Sequence, residues 1–161
     1  MQFDIRAARP EDANVIARYN RDMARETEGK ELDPNLIGPG VAALLGDATK
    51  GRYWVAVSDG QVVGQLMVTY EWSDWRNGNI WWIQSVYVNP GWRREGVFSG
   101  LYRHVEALAS ATPGAIGLRL YVEASNMQAQ QTYAALGMVN PNYLVMEAML
   151  GNSSPDSDGE T

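Results

Sequence analysis

The run IWWIQSVYVNPGWRREGVFSGLYRHVEAL, residues 80–108, changes its period partway along. Residues 80–88 are rich in β-branched and aromatic side chains, the composition of a strand. Further on, Phe98, Leu101, Tyr102, Val105 and Leu108 recur at the helical period and form one apolar stripe. Between the two lies a short segment with Pro90, Gly91, Gly96 and the adjacent Arg93 and Arg94. A helix that begins just after a strand offers free backbone N–H groups and the positive end of its dipole. With glycine allowing close approach, such a junction can cradle a phosphate, and two arginines add forked donors at its mouth. A basic loop that only solvates a helix start has the same sequence, so on this segment alone the two readings stand level. The patterns G-x-x-x-x-G-K-[ST] and G-x-G-x-x-G are absent.

The rest of the chain supplies the frame. FDIRAA (residues 3–8) alternates like a short strand. The next segment, RPEDANVIARYNRDMARETEG, has Pro10 at a first helical position and acids in the first turn. LDPNLIGPGVAALLGDATKG predicts a second helical region, interrupted near Gly38, Pro39 and Gly40. RYWVAVS and QVVGQLMVTYEW, joined by Asp59-Gly60, predict a hairpin. GLRLYVE (residues 117–123) reads as a further strand, and SNMQAQQTYAALG as a helix with Ser125 and Gln128 in a capping box and Gly137 after its last turn. NYLVMEAML (residues 142–150) reads as a last strand. The order β-α-α-β-β-β-α-β-α-β predicts an α/β (α+β) fold whose sheet is part antiparallel and part parallel. One domain over residues 1–150 is expected, with residues 151–161 as a disordered acidic tail.

Composition narrows the function classes. The formal net charge of −6 disfavours a general nucleic-acid binder. With no Cys, thiolate catalysis, disulfides and Cys-based metal sites are excluded, and His104, the single His, argues against a His-rich metal site. No metal is expected. There is no apolar run of the length that spans a bilayer, so no membrane association is expected. The start, MQFDIRAARPED, lacks the basic-then-apolar pattern of a signal peptide, and these features fit the cytoplasm.

Two segments together resemble the GCN5-related N-acetyltransferase superfamily. In the first, Arg93-Arg94-Glu95-Gly96-Val97-Phe98 after a strand is similar to the family's (Q/R)-x-x-G-x-(G/A) acetyl-CoA motif. In the second, LYVEASNMQAQQTYAALGM, Asn126 followed by Tyr133 is similar to the family's Asn-then-Tyr helix. The resemblance implies a mixed, mostly antiparallel sheet of about six to seven strands flanked by about four helices, with central strands that splay apart. It implies acetyl-CoA as co-substrate, paired to the main chain of the strand holding Val86, Tyr87 and Val88, with its pyrophosphate on the amides from Arg94 to Phe98. Phe98 departs from the pattern, since Gly or Ala is usual there, and its ring is expected to join the stripe with Leu101 and Tyr102. Asn126 would bond the cofactor arm or anchor the helix start. Tyr133 would protonate the departing thiolate.

A base for the attacking amine is not fixed by the sequence. Glu71 and Glu123 end strands near the expected groove and are the candidates. Glu26, Glu28, Glu31 and Asp33 cluster where the first two helices meet, and Glu71, Trp72, Asp74 and Trp75 lie in YEWSDWRNG; the resemblance implies that these two segments wall the acceptor groove. Acids with aromatics suit a small cationic amine. A peptide or protein acetyltransferase, or an acyl-CoA-binding module without turnover, are the competing readings. A second copy in a homodimer is also compatible.

Overall fold

The computed structural model describes residues 1–151. The expected disordered tail falls, from residue 152 on, outside them. The described residues form two compact units, Met1–Glu123 and a second that begins at Ala124.

In the first unit, five strands form one mixed sheet in the order β1-β2-β3-β4-β5. They are β1 (Asp4–Ala7), β2 (Arg52–Ser58), β3 (Gln61–Ser73), β4 (Gly78–Val88) and β5 (Ala115–Leu120). The first three pairings are antiparallel and β4–β5 is parallel. The β2–β3 hairpin turns on Asp59 and Gly60, both at positive φ, which is the twist that matches two antiparallel strands. The unit has three α-helices, α1 (Ala13–Glu28), α2 (Pro34–Leu45) and α3 (Val97–Ala111). The second unit holds α4 (Met127–Ala135).

This is the expected mixed α/β architecture with five strands instead of six to seven. Residues 142–150 form no strand. Their alternation satisfies a strand's side-chain pattern, but no ladder partner takes up their backbone among the described residues. The interruption expected in α2 is also absent. The helix runs through Pro39, whose ring is flanked by Gly38 and Gly40, at neither of which a Cβ would meet another atom within 4 Å. In α4 the cap is Asn126, not Ser125: its side chain accepts from Ala129 N at 3.0 Å.

Alternation along the strands splits the core into two layers. Tyr53, Val55 and Met67 pack with Ile16, Ala17 and Val41 of α1 and α2. The intervening positions face α3: a Cβ on Gly64 would lie 2.6 Å from Val97 and 3.5 Å from Leu101. Glycine at position 64 is thus what lets the start of α3 sit against β3.

Entry into α1 is fixed by Asp12, only 7% exposed. Its carboxylate accepts from Arg6 Nη1 (2.8 Å), Arg6 Nη2 (3.0 Å) and Arg9 N (2.7 Å), tying β1 to the helix start. Burial pushes its pKa up, but the Arg6 and Arg9 hydrogen bonds outweigh that and hold it below the ordinary value. The stabilisation is therefore complete above the unfolded carboxylate pKa of about 3.9 and fades as pH falls through the lowered folded value. Asp12→Asn is expected to cost about 2 kcal/mol at pH 7 in urea unfolding. The gap to the native chain should close toward pH 3. A gap that is the same at both pH values would remove the ion pair from the account.

Candidate active site

The parallel ladder between β4 and β5 stops at Ile83 and Leu120, whereas β4 continues to Val88. Residues 84–88 thus keep one edge without a ladder partner among the described residues. On the other edge, Met67 pairs with Gln84 and Gln65 with Tyr87. Ser85 and Val86 therefore both oppose Leu66, which is a β-bulge. Ser85 takes the left-handed conformation at φ 49°, sparsely populated for a residue with a Cβ. A bulge at this place re-aims the main-chain groups of Ser85 to Val88 away from the regular ladder.

Gln65 holds the bulge. It is fully buried, and its Nε2 donates to the Ser85 carbonyl at 3.1 Å and to Asn20 Oδ1 at 3.0 Å. Asn20, 3% exposed, in turn donates to the Tyr53 hydroxyl at 3.1 Å. Burial pushes the Tyr53 hydroxyl up, against the pull of its Asn20 and Ser85 hydrogen bonds. Gln65 Oε1 is buried with no partner among the described residues. Neither Gln65 nor Asn20 stood out in the sequence. The signal available was a lone amide inside the apolar run VVGQLMV.

Beyond Val88 the chain makes a single turn, Pro90–Trp92, capped by Asn89 Oδ1 accepting from Gly91 N at 2.9 Å. Arg94 (φ 65°) and Gly96 (φ 79°) then both adopt left-handed backbone, and Gly96 is the N-cap of α3. Left-handed residues entering a helix N-terminus turn successive N–H groups to one side, the geometry of an anion cradle. The Arg pair divides its work. Arg93 folds back: Nε donates to Val88 O (3.1 Å), Nη2 to Glu26 Oε2 (2.7 Å), and the guanidinium lies 5.4 Å from the Tyr87 ring centroid. Arg94 is exposed and makes no ion pair among the described residues. Glu95 faces the N-terminal ammonium at 3.7 Å, Val97 is buried, and the Phe98 ring packs on Tyr102 at 6.2 Å.

Glu26 also accepts from the Tyr87 hydroxyl at 2.7 Å. That bond and the Arg93 bond hold its carboxyl below the ordinary range. Burial first, and then the bond to Glu26, push Tyr87 up to about 12. Glu31 is paired with Arg25 at 2.6 Å, and Glu71 with Arg119 at 2.6 Å. Glu71 sits opposite Ile80, five residues from Ser85, so roughly 16 Å of strand separates it from the bulge. Glu123 is exposed past the end of β5.

A cleft of about 530 Å³ opens between α1, α2 and the sheet. Its lining includes Glu28, Tyr53, Met67 and Ser85, so it reaches the bulge. Glu26, Glu71, Trp72 and Trp75 do not line it, and Trp75 is 90% exposed. In the second unit, Asn126 caps α4 and Tyr133 is half-buried on that helix; burial pushes its hydroxyl up. No group of three or more His, Asp or Glu side chains among the described residues could hold a metal ion. No helix among them is long and apolar enough to cross a membrane.

Two of three comparisons with known proteins place the chain. Among curated proteins none matches it. A possible acetyltransferase from Clostridium difficile 630 superposes with TM-score 0.87 at 45% identity, over 93% of this chain and 99% of that one. The fold is shared at lower identity by a GCN5-related N-acetyltransferase from Ralstonia eutropha JMP134 (TM-score 0.72, 18%, covering 91% and 99%). It is shared too by an aminoglycoside acetyltransferase from an uncultured soil metagenomic sample (TM-score 0.72, 17%, covering 94% and 100%). The acetyltransferase (GNAT) family model matches residues 15–138. With that match spanning most of the chain, and with a bulged β4 that outruns its parallel partner and leads into a left-handed loop at a helix start, the chain belongs to the GNAT acetyltransferase family.

Proposed function

We propose that the chain moves the acetyl group of acetyl-CoA onto a small primary amine, by direct attack in a ternary complex. The observation that carries this reading is β4: one strand offers an unpaired edge over residues 84–88, a bulge at Ser85 and Val86, and the anion cradle just beyond its end. Acetyl-CoA fits these residues. The edge groups of Val86, Tyr87 and Val88 would pair with its amide-bearing arm, and the amides from Arg94 to Phe98 with its pyrophosphate. A main-chain N–H of the bulge would polarise the acetyl carbonyl where negative charge develops. The amine attacks that carbon, a C–N bond forms and the C–S bond breaks. Tyr133 supplies the proton to the leaving sulfur, a role that rests on the likeness of α4 to the family's Asn-then-Tyr helix. The proton lost by the amine goes to a carboxylate or to water. Glu28 is the carboxylate that lines the cleft, whereas Glu71 is tied to Arg119.

The test has two parts. Amine-dependent thiol release from acetyl-CoA should be seen in a panel of primary amines. In calorimetry, Arg94→Ala should weaken CoA binding about fivefold to tenfold and flatten its salt dependence. Arg93→Ala acts through loop placement, so it should leave the salt dependence in place. CoA affinity unmoved by Arg94→Ala would take the pyrophosphate away from this loop.

A further inference from the structure

We infer that the cleft takes a primary amine on an apolar body, alkyl or aralkyl, and rejects polycations. The inference rests on the acetyl-transfer reading above and adds the acceptor class. The volume of about 530 Å³ lies within the range of small-molecule sites. Its walls come from Met23, Leu32, Ile37, Val41, Leu44 and Met67, so most of what a ligand would touch is hydrocarbon or thioether. Two methionines add adaptable surface, which suits unbranched or aromatic bodies of varied shape.

The polar groups of the lining are few and mostly committed. Asn20 is engaged with Tyr53 and Gln65. Thr27 Oγ1 donates to Met23 O at 2.8 Å. Among the described residues Glu28 is the one carboxylate on the wall, with Lys30 at the outer limit of pairing, 4.0 Å. One carboxylate can meet one ammonium. A second or third ammonium would be desolvated against apolar walls without a partner, which is heavily unfavourable. The other acids of the helix junction, Glu26, Glu31 and Asp33, do not line the cleft, and Asp33 caps α2 by accepting from Asn35 N. Glu26 holds Arg93 and Tyr87, and Glu31 holds Arg25. Ser85 lines the same cleft, so an amine seated here has the β4 bulge in its wall, beside the edge assigned to the acetyl donor.

The experiment is thiol release from acetyl-CoA by the full chain with propylamine through octylamine, phenethylamine, spermidine and an aminoglycoside. The alkylamines share one basicity, so differences among them report the body and not the amine. kcat/KM is expected to rise roughly threefold to fourfold per added methylene until the cleft is full. Spermidine and the aminoglycoside should lie at least about 100-fold below the best alkylamine. Gly40 lines the cleft from α2, and a Cβ there would meet nothing within 4 Å. Gly40→Leu should therefore narrow the cleft without straining the fold. It should cut kcat/KM for the longest amines about tenfold or more and move the optimum to shorter ones, with KM for acetyl-CoA nearly constant. A flat chain-length profile, or preference for spermidine or the aminoglycoside, overturns the inference and leaves acetyl transfer standing. A Gly40→Leu variant with the native length profile also overturns it. No thiol release with any amine, at native CoA affinity, brings down the acetyl-transfer reading itself and the inference with it.

Discussion

Tyr133→Phe is expected to lower kcat by about 10²–10⁴-fold while KM for acetyl-CoA changes little. The substitution removes one oxygen and keeps the ring, so the packing of α4 should survive. Burial pushes the Tyr133 hydroxyl above its ordinary value, which keeps it protonated. For a proton donor the sign is favourable: the group is in its working form at neutral pH and loses it only as pH rises through the raised value. The native kcat should therefore hold through the ordinary phenol range near pH 10 and fall above it. In the Phe variant the small remaining rate should show no such alkaline fall. Full kcat in the variant would leave Tyr133 as a packing residue, and thiolate departure would then need no acid from the protein.

The periodicity of the sequence was sufficient for the fold where each element could bury its own stripe. Of the stripe read in α3, Leu101, Tyr102 and Val105 are buried and Phe98 is half-buried, while Leu108 lies at its rim, 36% exposed. It was insufficient where structure depends on a partner. The alternation at residues 142–150 reports strand competence, but a strand exists only where another backbone accepts its hydrogen bonds. The loop was legible because Gly96 and the Arg pair carry backbone and charge information in their identities. What Arg93 does was not legible: an arginine next to a phosphate cradle and an arginine folded onto Glu26 and Tyr87 are the same letter. The acids at the helix junction meet a related limit. Counting carboxylates gives the charge, but it does not give the partners, and Glu26 and Glu31 are neutralised by Arg93 and Arg25. The bulge left no mark in the sequence at Ser85, because the extra residue is defined by register against β3.

Gln65 is where register becomes chemistry, and its replacement tests that link. Gln65→Leu fills similar space but removes the donor to Ser85 O and to Asn20 Oδ1. Two acceptors in the interior lose their partner, at about 1–3 kcal/mol each, while the loss of the unpartnered Oε1 returns part of that. A net destabilisation of about 2 kcal/mol is expected in urea unfolding. Ser85, at φ 49°, is then free to relax toward extended backbone, and the bulge amides lose their aim. An oxyanion donor is worth about 10²–10³-fold in kcat when removed outright, so a misaimed one should cost roughly tenfold. The anion cradle at Arg94 and Gly96 is untouched, so CoA affinity should stay near native. Loss of rate with retained CoA affinity is the split that general unfolding would not produce. Gln65→Glu sharpens the test. A buried carboxylic acid donates through its O–H only while protonated, and burial raises the pKa at which it lets go. With one O–H it can restore one of the two bonds, so its kcat relative to the native chain should recover in part as pH falls from 8 to 5, whereas that of Gln65→Leu should not. If both variants track the native pH profile at native rate, the Ser85 bulge needs no support from Gln65, and the buried amide is a packing residue with one unmet acceptor.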